Sequence, residues 1–250
     1  MTLPYDLGPG GAAFLTLALF LSAIVRGYSG FGFSALVIVS ASLVTSPLKV
    51  VATVMICEFL MTFQQLRGIW TSIHWRRVRW LMLGAMPGVA IGLWALTGVG
   101  VDTVRLIMAV YVLAMCAALW AGMRFSRPSG NAAHGVTGLV SGIANATSVG
   151  GLPVAVFFSA QPISAAAFRA TLIAYFAFLD LWTAPLMGWY GLVSRDTFVG
   201  AVLALPVILL GNWLGARHFL AANPQDFRRF VILLLAGLSF AAIARTLAFG

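Results

Sequence analysis

Of 250 residues, 61% are hydrophobic and 8% charged, with 15 Lys and Arg against 6 Asp and Glu for a formal net charge of +9. Nearly every segment between turn signals is apolar on all faces, which leaves no stretch for a soluble domain and predicts an all-α polytopic membrane protein. Most of the basic residues stand in short connections between apolar runs, a topology signal that argues for a lipid bilayer and against nucleic acid as the partner.

The start, Met1 to Pro9, has no basic region and no cleavage pattern, so no removable signal peptide is expected. Two apolar runs follow, Gly11 to Val25 and Phe33 to Thr45, each shorter than the roughly 20 residues a spanning helix needs. The break between them is Arg26-Gly27-Tyr28-Ser29-Gly30-Phe31-Gly32, and the pattern predicts a re-entrant hairpin of two half-helices. Ser46 and Pro47 then open a long helix to about Leu66, as N-cap and first helical residue. A basic loop holds Arg67, His74, Arg76, Arg77 and Arg79, and is followed by spans at about Trp80 to Leu96 and Val104 to Met123. Gly98, Gly100 and Asp102 separate those two, and Arg124 to Gly130 reads as a linker at the midpoint.

The second half repeats the first. Gly27 and Pro47 match Gly142 and Pro162 at an offset of 115, and Ala52-Thr53 matches Ala170-Thr171 at 118. Pro87 and Gly92 match Pro206 and Gly211 at 119, and Asp102-x-x-Arg105 matches Asp226-x-x-Arg229 at 124. The chain therefore reads as a single transmembrane domain over 1–250, with repeat one at about 8–124, a linker at about 125–133 and repeat two at about 134–250. Each repeat is expected to hold a re-entrant half-helix hairpin plus three transmembrane helices. That is an odd number of crossings, so the repeats must have inverted topology. Placing the Arg67–Arg79 loop in the cytoplasm also puts Arg124, Arg127, Arg217, Arg228 and Arg229 there, leaves Lys49, Arg105 and Arg195 outside, and turns both termini outward.

In each hairpin the second half-helix begins at the tip, near Phe33 and near Pro153, where unpaired N–H groups and the helix dipole attract anions. Glycines at 27, 30, 32, 150 and 151 allow close approach to the backbone, and Pro153 loses no donor at a helix start. Ser29, Asn145, Thr147, Ser148 and Tyr28 add neutral hydrogen-bonding groups, and Arg26 is the formal charge at the tips. The expected substrate-binding residues are thus Arg26, Gly27, Tyr28, Ser29, Gly30, Phe31, Gly32, Asn145, Thr147, Ser148, Gly150, Gly151 and Pro153. The bland alternative is that such glycines only pack helices together.

Glu58 and Asp180 lie within apolar spans, where ionisable groups are costly. Proton coupling and ion pairing are both open for them, with Arg26 or Arg169 as the cationic partner. Gln64 and Gln65 read as helix-end polar residues, His74 as interfacial, and His134 and His218 as solvated. Trp70, Trp75, Trp80, Trp189 and Tyr190 read as an aromatic belt. Cys57 and Cys116 have no metal-ligand spacing, and the chain carries no phosphate-cradling or hydrolase motif, so no metal, no cofactor and no enzyme activity is expected.

The second break, Ser141-Gly-Ile-Ala-Asn-Ala-Thr-Ser-Val-Gly-Gly-Leu-Pro153, resembles the glycine-rich motif that opens the second repeat of the sulfite exporter TauE/SafE family. Gly27-Tyr-Ser-Gly-Phe-Gly-Phe33 resembles that family's first motif, departing from it where Phe31 and Phe33 interrupt the glycines and no proline follows. The resemblance extends over the whole chain in length, repeat layout and hydropathy. It implies a multi-pass secondary transporter in a bacterial cytoplasmic membrane, an exporter of small sulfur-containing anions such as sulfite, thiosulfate or organosulfonates. An anion channel with the same tips, or a non-transporting membrane subunit, are the alternatives, and a homo-oligomer is allowed.

Overall fold

The computed structural model describes residues 4–66, 68–96, 98–122, 125 and 129–218, with 232–233, 236–237, 239–240 and 243 in the last segment. Among the described residues there are nine α-helices and no strand. They are α1 (Pro9–Ser29), α2 (Phe33–Ser42), α3 (Pro47–Leu66), α4 (Trp75–Leu96), α5 (Val101–Ala121), α6 (Asn131–Asn145), α7 (Gly151–Ser159), α8 (Ala165–Trp189) and α9 (Arg195–His218). Six of them, α1, α3, α4, α5, α8 and α9, are long and apolar enough to cross a membrane, which makes this a multi-pass membrane protein. The other three are short: α2 has 10 residues, α7 has 9 and α6 has 15.

Two seams of backbone contact hold the molecule together. Along one, α1 lies on α9; along the other, α6 lies on α4. Both are lined by glycine. A Cβ on Gly211 or Gly215 would run into the carbonyls of Phe20 or Ile24, and one on Gly84, Gly88 or Gly92 into those of Gly135, Leu139 or Ile143. Without a hydrophobic drive between helices in lipid, this close backbone approach is what supplies the attraction. The helices α3 and α8 pack against each other at the centre, α3 also on α9 and α8 also on α4. Every residue of α2 is buried.

Several boundaries depart from the hydropathy pattern. The first apolar run ends at Val25, yet α1 continues to Ser29 and spans 21 residues, about 32 Å at 1.5 Å per residue. Two things carry it on: Arg26 is neutralised inside the protein, and Gly27 lets α9 approach. The helix α4 starts at Trp75 and not at Trp80, because Arg76, Arg77 and Arg79 are good helix formers and need not sit in a loop. Asp102 belongs to the first turn of α5, where it pairs with Arg105 at 2.7 Å. The helix α6 begins at Asn131, inside the expected linker.

His134 is buried and not solvated, with Nδ1 donating to the Gly130 carbonyl at 2.8 Å and its ring 5.0 Å from that of Phe157. Gln64 and Gln65 are more than helix-end polar groups. Asn212 on α9 donates to Gln64 at 2.6 Å and accepts from Gln65 at 2.5 Å, clamping α3 to α9. Of the five expected belt residues, Trp70, Trp80 and Trp189 are exposed, whereas Trp75 and Tyr190 are partly buried. Arg67, Arg124, Arg127, Arg228, Arg229, the Asp226-x-x-Arg229 match and the side chain of His218 lie outside the described residues.

Candidate functional site

The two polar breaks are tight, non-helical turns. In the first, Gly30 at φ +81° donates its N–H to the Arg26 carbonyl at 2.7 Å and closes α1, and Gly32 at φ +91° turns the chain into α2. L-residues with a Cβ are disfavoured in this left-handed region, so glycine fits both places. In the second, α6 ends at Asn145, Ser148 takes φ +56°, and α7 opens at Gly151 with Pro153 in its first turn.

The first turn meets the middle of α3 at Glu58, and the second meets the middle of α8 at Phe176. The Arg26 side chain has no exposed surface; its Nη1 lies 2.8 Å from Glu58 Oε1, and its Nη2 donates to Thr62 Oγ1 at 2.8 Å. Ser34, in the first turn of α2, is within electrostatic reach of Glu58. The guanidinium stands over the Phe176 ring at 5.7 Å. The same ring meets Gly151, where an added Cβ would come 3.0 Å from the ring carbon Cζ. Phe176 therefore touches both the Arg26 guanidinium and the start of α7. Asp180, one turn further along α8, is 2% exposed and within electrostatic reach of Glu58 and Arg26. Its Oδ2 has no hydrogen-bond partner.

The turns also cross over between the halves of the chain. Gly30 packs on Arg169 and Ile173 of α8, and Arg169 donates to the Gly27 carbonyl at 2.9 Å. In the mirror arrangement, Ser148 donates to the Val51 carbonyl of α3 at 3.3 Å. Asn145 donates to Thr183 on α8 at 3.1 Å, and Tyr175 donates to Ser141, which in turn donates to the Gly150 carbonyl at 2.6 Å.

Not every expected residue points inward. Gly27 is taken up by the seam, its missing side chain replaced by the Asn212 backbone. The Ser29 hydroxyl lies 2.8 Å from both the Val25 and the Phe31 carbonyl oxygens, with one proton to give to either, and that of Thr147 donates to Ala144. Thr147 instead lines an apolar groove of about 370 Å³ between α4, α5 and α6. The Phe31 ring packs edge-on against Phe168 at 6.0 Å, and Tyr28 is buried within α1. Among the described residues no cluster of His, Cys, Asp and Glu could hold a metal ion.

Sequence reading missed Ser34, Thr62, Phe176 and Thr183. A signal for them exists: Glu58, Thr62 and Gln65 form one stripe on α3 at spacings of four and three, and Phe176, Asp180 and Thr183 repeat that stripe on α8 at the offset of 118.

The family model described as Sulfite exporter TauE/SafE matches residues 15–242. A curated relative, the "Probable sulfite/organosulfonate exporter TauE" of Cupriavidus necator, is 26% identical over 217 residues, covering 84% of this chain and 85% of its own. No solved structure matches the chain. The match runs through both polar breaks and all nine helices, and by it the chain belongs to the sulfite exporter TauE/SafE family, a family of membrane exporters and not of enzymes.

Proposed function

We propose that the chain is a secondary transporter that exports small sulfur-containing anions, such as sulfite, thiosulfate or organosulfonates, across a bacterial cytoplasmic membrane. The family and the printed name of the relative support the substrate class. In this reading the chain is one transmembrane domain of two inverted repeats. The turns of α1–α2 and α6–α7 are tips enclosed within the protein, and the anion sits between them; α1, at 21 residues, reaches its tip as a full-length helix and not as the expected half-helix.

The observation that carries the reading is the meeting of the first tip with the middle of α3 and of the second tip with the middle of α8, with a buried Arg26 beside them. Irregular backbone inside a bilayer is tolerated where it is enclosed by protein, and discontinuous helices aim their N-terminal dipoles at anionic substrates. The two-fold repeat is supported by reciprocal packing: α1 on α9 is matched by α6 on α4, and α3 on α9 by α8 on α4. It is supported again at residue level. Gly30 and Ser148, both left-handed, stand 118 positions apart, and so do the residues they touch across the molecule, Arg169 and Val51.

A thermal-shift and proteoliposome counterflow series with sulfite, thiosulfate, sulfate and methanesulfonate tests the reading. Stabilisation and saturable counterflow by the sulfur anions are expected, both lost in Gly151→Val, which blocks the approach to the α7 start without changing any charge. Absence of both for every anion would overturn the reading, and single-channel conductance in place of counterflow would make the protein a channel.

A further inference from the structure

The first tip already holds a carboxyl group of the protein itself. Glu58 accepts from Arg26 Nη1 at 2.8 Å, and Ser34, in the first turn of α2, is within electrostatic reach of it. A guanidinium beside a helix start is the donor an oxyanion would need at this place. Two buried carboxylates stand beside one fully buried cation, and the partly buried Arg169 is within electrostatic reach of that cation. Glu58 is 6% exposed and Asp180 2%, and Arg26 has no exposed surface. Asp180 Oδ2 and Arg26 Nε both lack a hydrogen-bond partner.

The charged and titratable groups that face the pair are Arg26 from α1, Cys57 from α3 itself, and Asp180 from α8. Arg169 reaches Arg26, and Tyr175 reaches Asp180, with Tyr111 of α5 behind Tyr175. From α2 comes the neutral Ser34, and from α9 the neutral Asn212 by way of Gln65. A second, uncompensated carboxylate in such surroundings is costly, and it repels any incoming anion.

We propose that Glu58 is a resident anion that occupies the first tip, and that a substrate anion replaces it only together with a proton that neutralises the Glu58 carboxylate. The proposal rests on the anion-transport reading. In the empty state Arg26 is paired with ionised Glu58, and Asp180 carries a proton, so the cluster of Arg26, Glu58 and Asp180 is neutral. In the loaded state one proton from solution forms an O–H bond on Glu58, and the Arg26 Nη1 and Nε donors turn to the anion. The cluster is neutral again. One proton is taken up for each monovalent anion bound, and no other bond is made or broken.

The test is isothermal titration of the full-length protein in detergent with methanesulfonate, between pH about 5 and about 8. A sulfonate keeps one negative charge throughout this range, so any pH dependence belongs to the protein. Wild-type affinity is expected to fall by up to about tenfold per pH unit as pH rises, the slope for one linked proton. Glu58→Gln is expected to bind more tightly than wild type at the upper end of the range and with no pH dependence. Should that variant fail to fold, the wild-type titration repeated in two buffers of different ionisation enthalpy counts the proton directly, and an uptake near one is expected. Wild-type binding that is flat with pH, or a wild-type slope in Glu58→Gln, overturns the proposal and leaves the transport reading standing. No binding by the wild type at any pH overturns the anion site and the proposal together.

Discussion

Arg26 is a full charge with no exposed surface, held by Glu58 at 2.8 Å and by Thr62. A buried pair of this kind adds little net stability, but removing one partner strands the other, at a loss of about 3–5 kcal/mol. Arg26→Ala should therefore unfold at markedly lower temperature than wild type, whereas Arg26→Met with Glu58→Met, which removes both charges, should recover most of the loss. Thermal unfolding of the two variants checks this, and a double variant as weak as the single one would show that the pair is not the source. The glycines divide in the same way. Gly88→Val would force a side chain into the Leu139 carbonyl and should prevent stable assembly, while Gly188, with open space around it, should accept alanine with little change. The sequence made Arg26 and the tip glycines visible as candidates. Which glycine packs and which one turns the chain was not visible, because that depends on α9 and α4 lying on α1 and α6, contacts between residues far apart in the chain.

At the scale of elements, the punctuated helices were legible and the charged ones were not. The helix α3 begins at Pro47 and reaches Leu66, as the Ser46-Pro47 signal and the apolar run require. The start of α4 and the end of α1 were missed for a shared reason, that arginine was read as a boundary when it continues a helix well. The polar stripes of α3 and α8 were in the sequence at helical spacing, but the residues that complete them, Ser34 and Phe176, come from another element or are apolar. One cap can be tested directly. The Ser164 side chain accepts from the Ala167 N–H at the start of α8, so Ser164→Ala should cost about 0.5–2 kcal/mol, read as a lower unfolding temperature. An unchanged unfolding temperature would mean that the packing of α8 on α3 and α4 sets its start without help.

For the whole molecule, the proposed inversion puts the α3–α4 connection in the cytoplasm. Gly68→Cys, in a background without Cys57 and Cys116, places a thiol in that exposed connection. An impermeant maleimide should label it only after the cells are opened, and labelling of intact cells would reverse the orientation. The two halves of the chain should also depend on each other. Residues 1–125 and 129–250 made separately should fail to give a stable species, and made together they should copurify. The seams say why. In the first half α1 and α4 each expose a backbone face, and the faces that cover them, α9 and α6, are both in the second half. A half-length chain could cover its own α1 and α4 only by lending them to a second copy of itself. Under the proposed inverted-repeat reading, two such copies turned head to tail would close both seams, and the protein would have the form of an exchanged dimer whose subunits have been joined end to end.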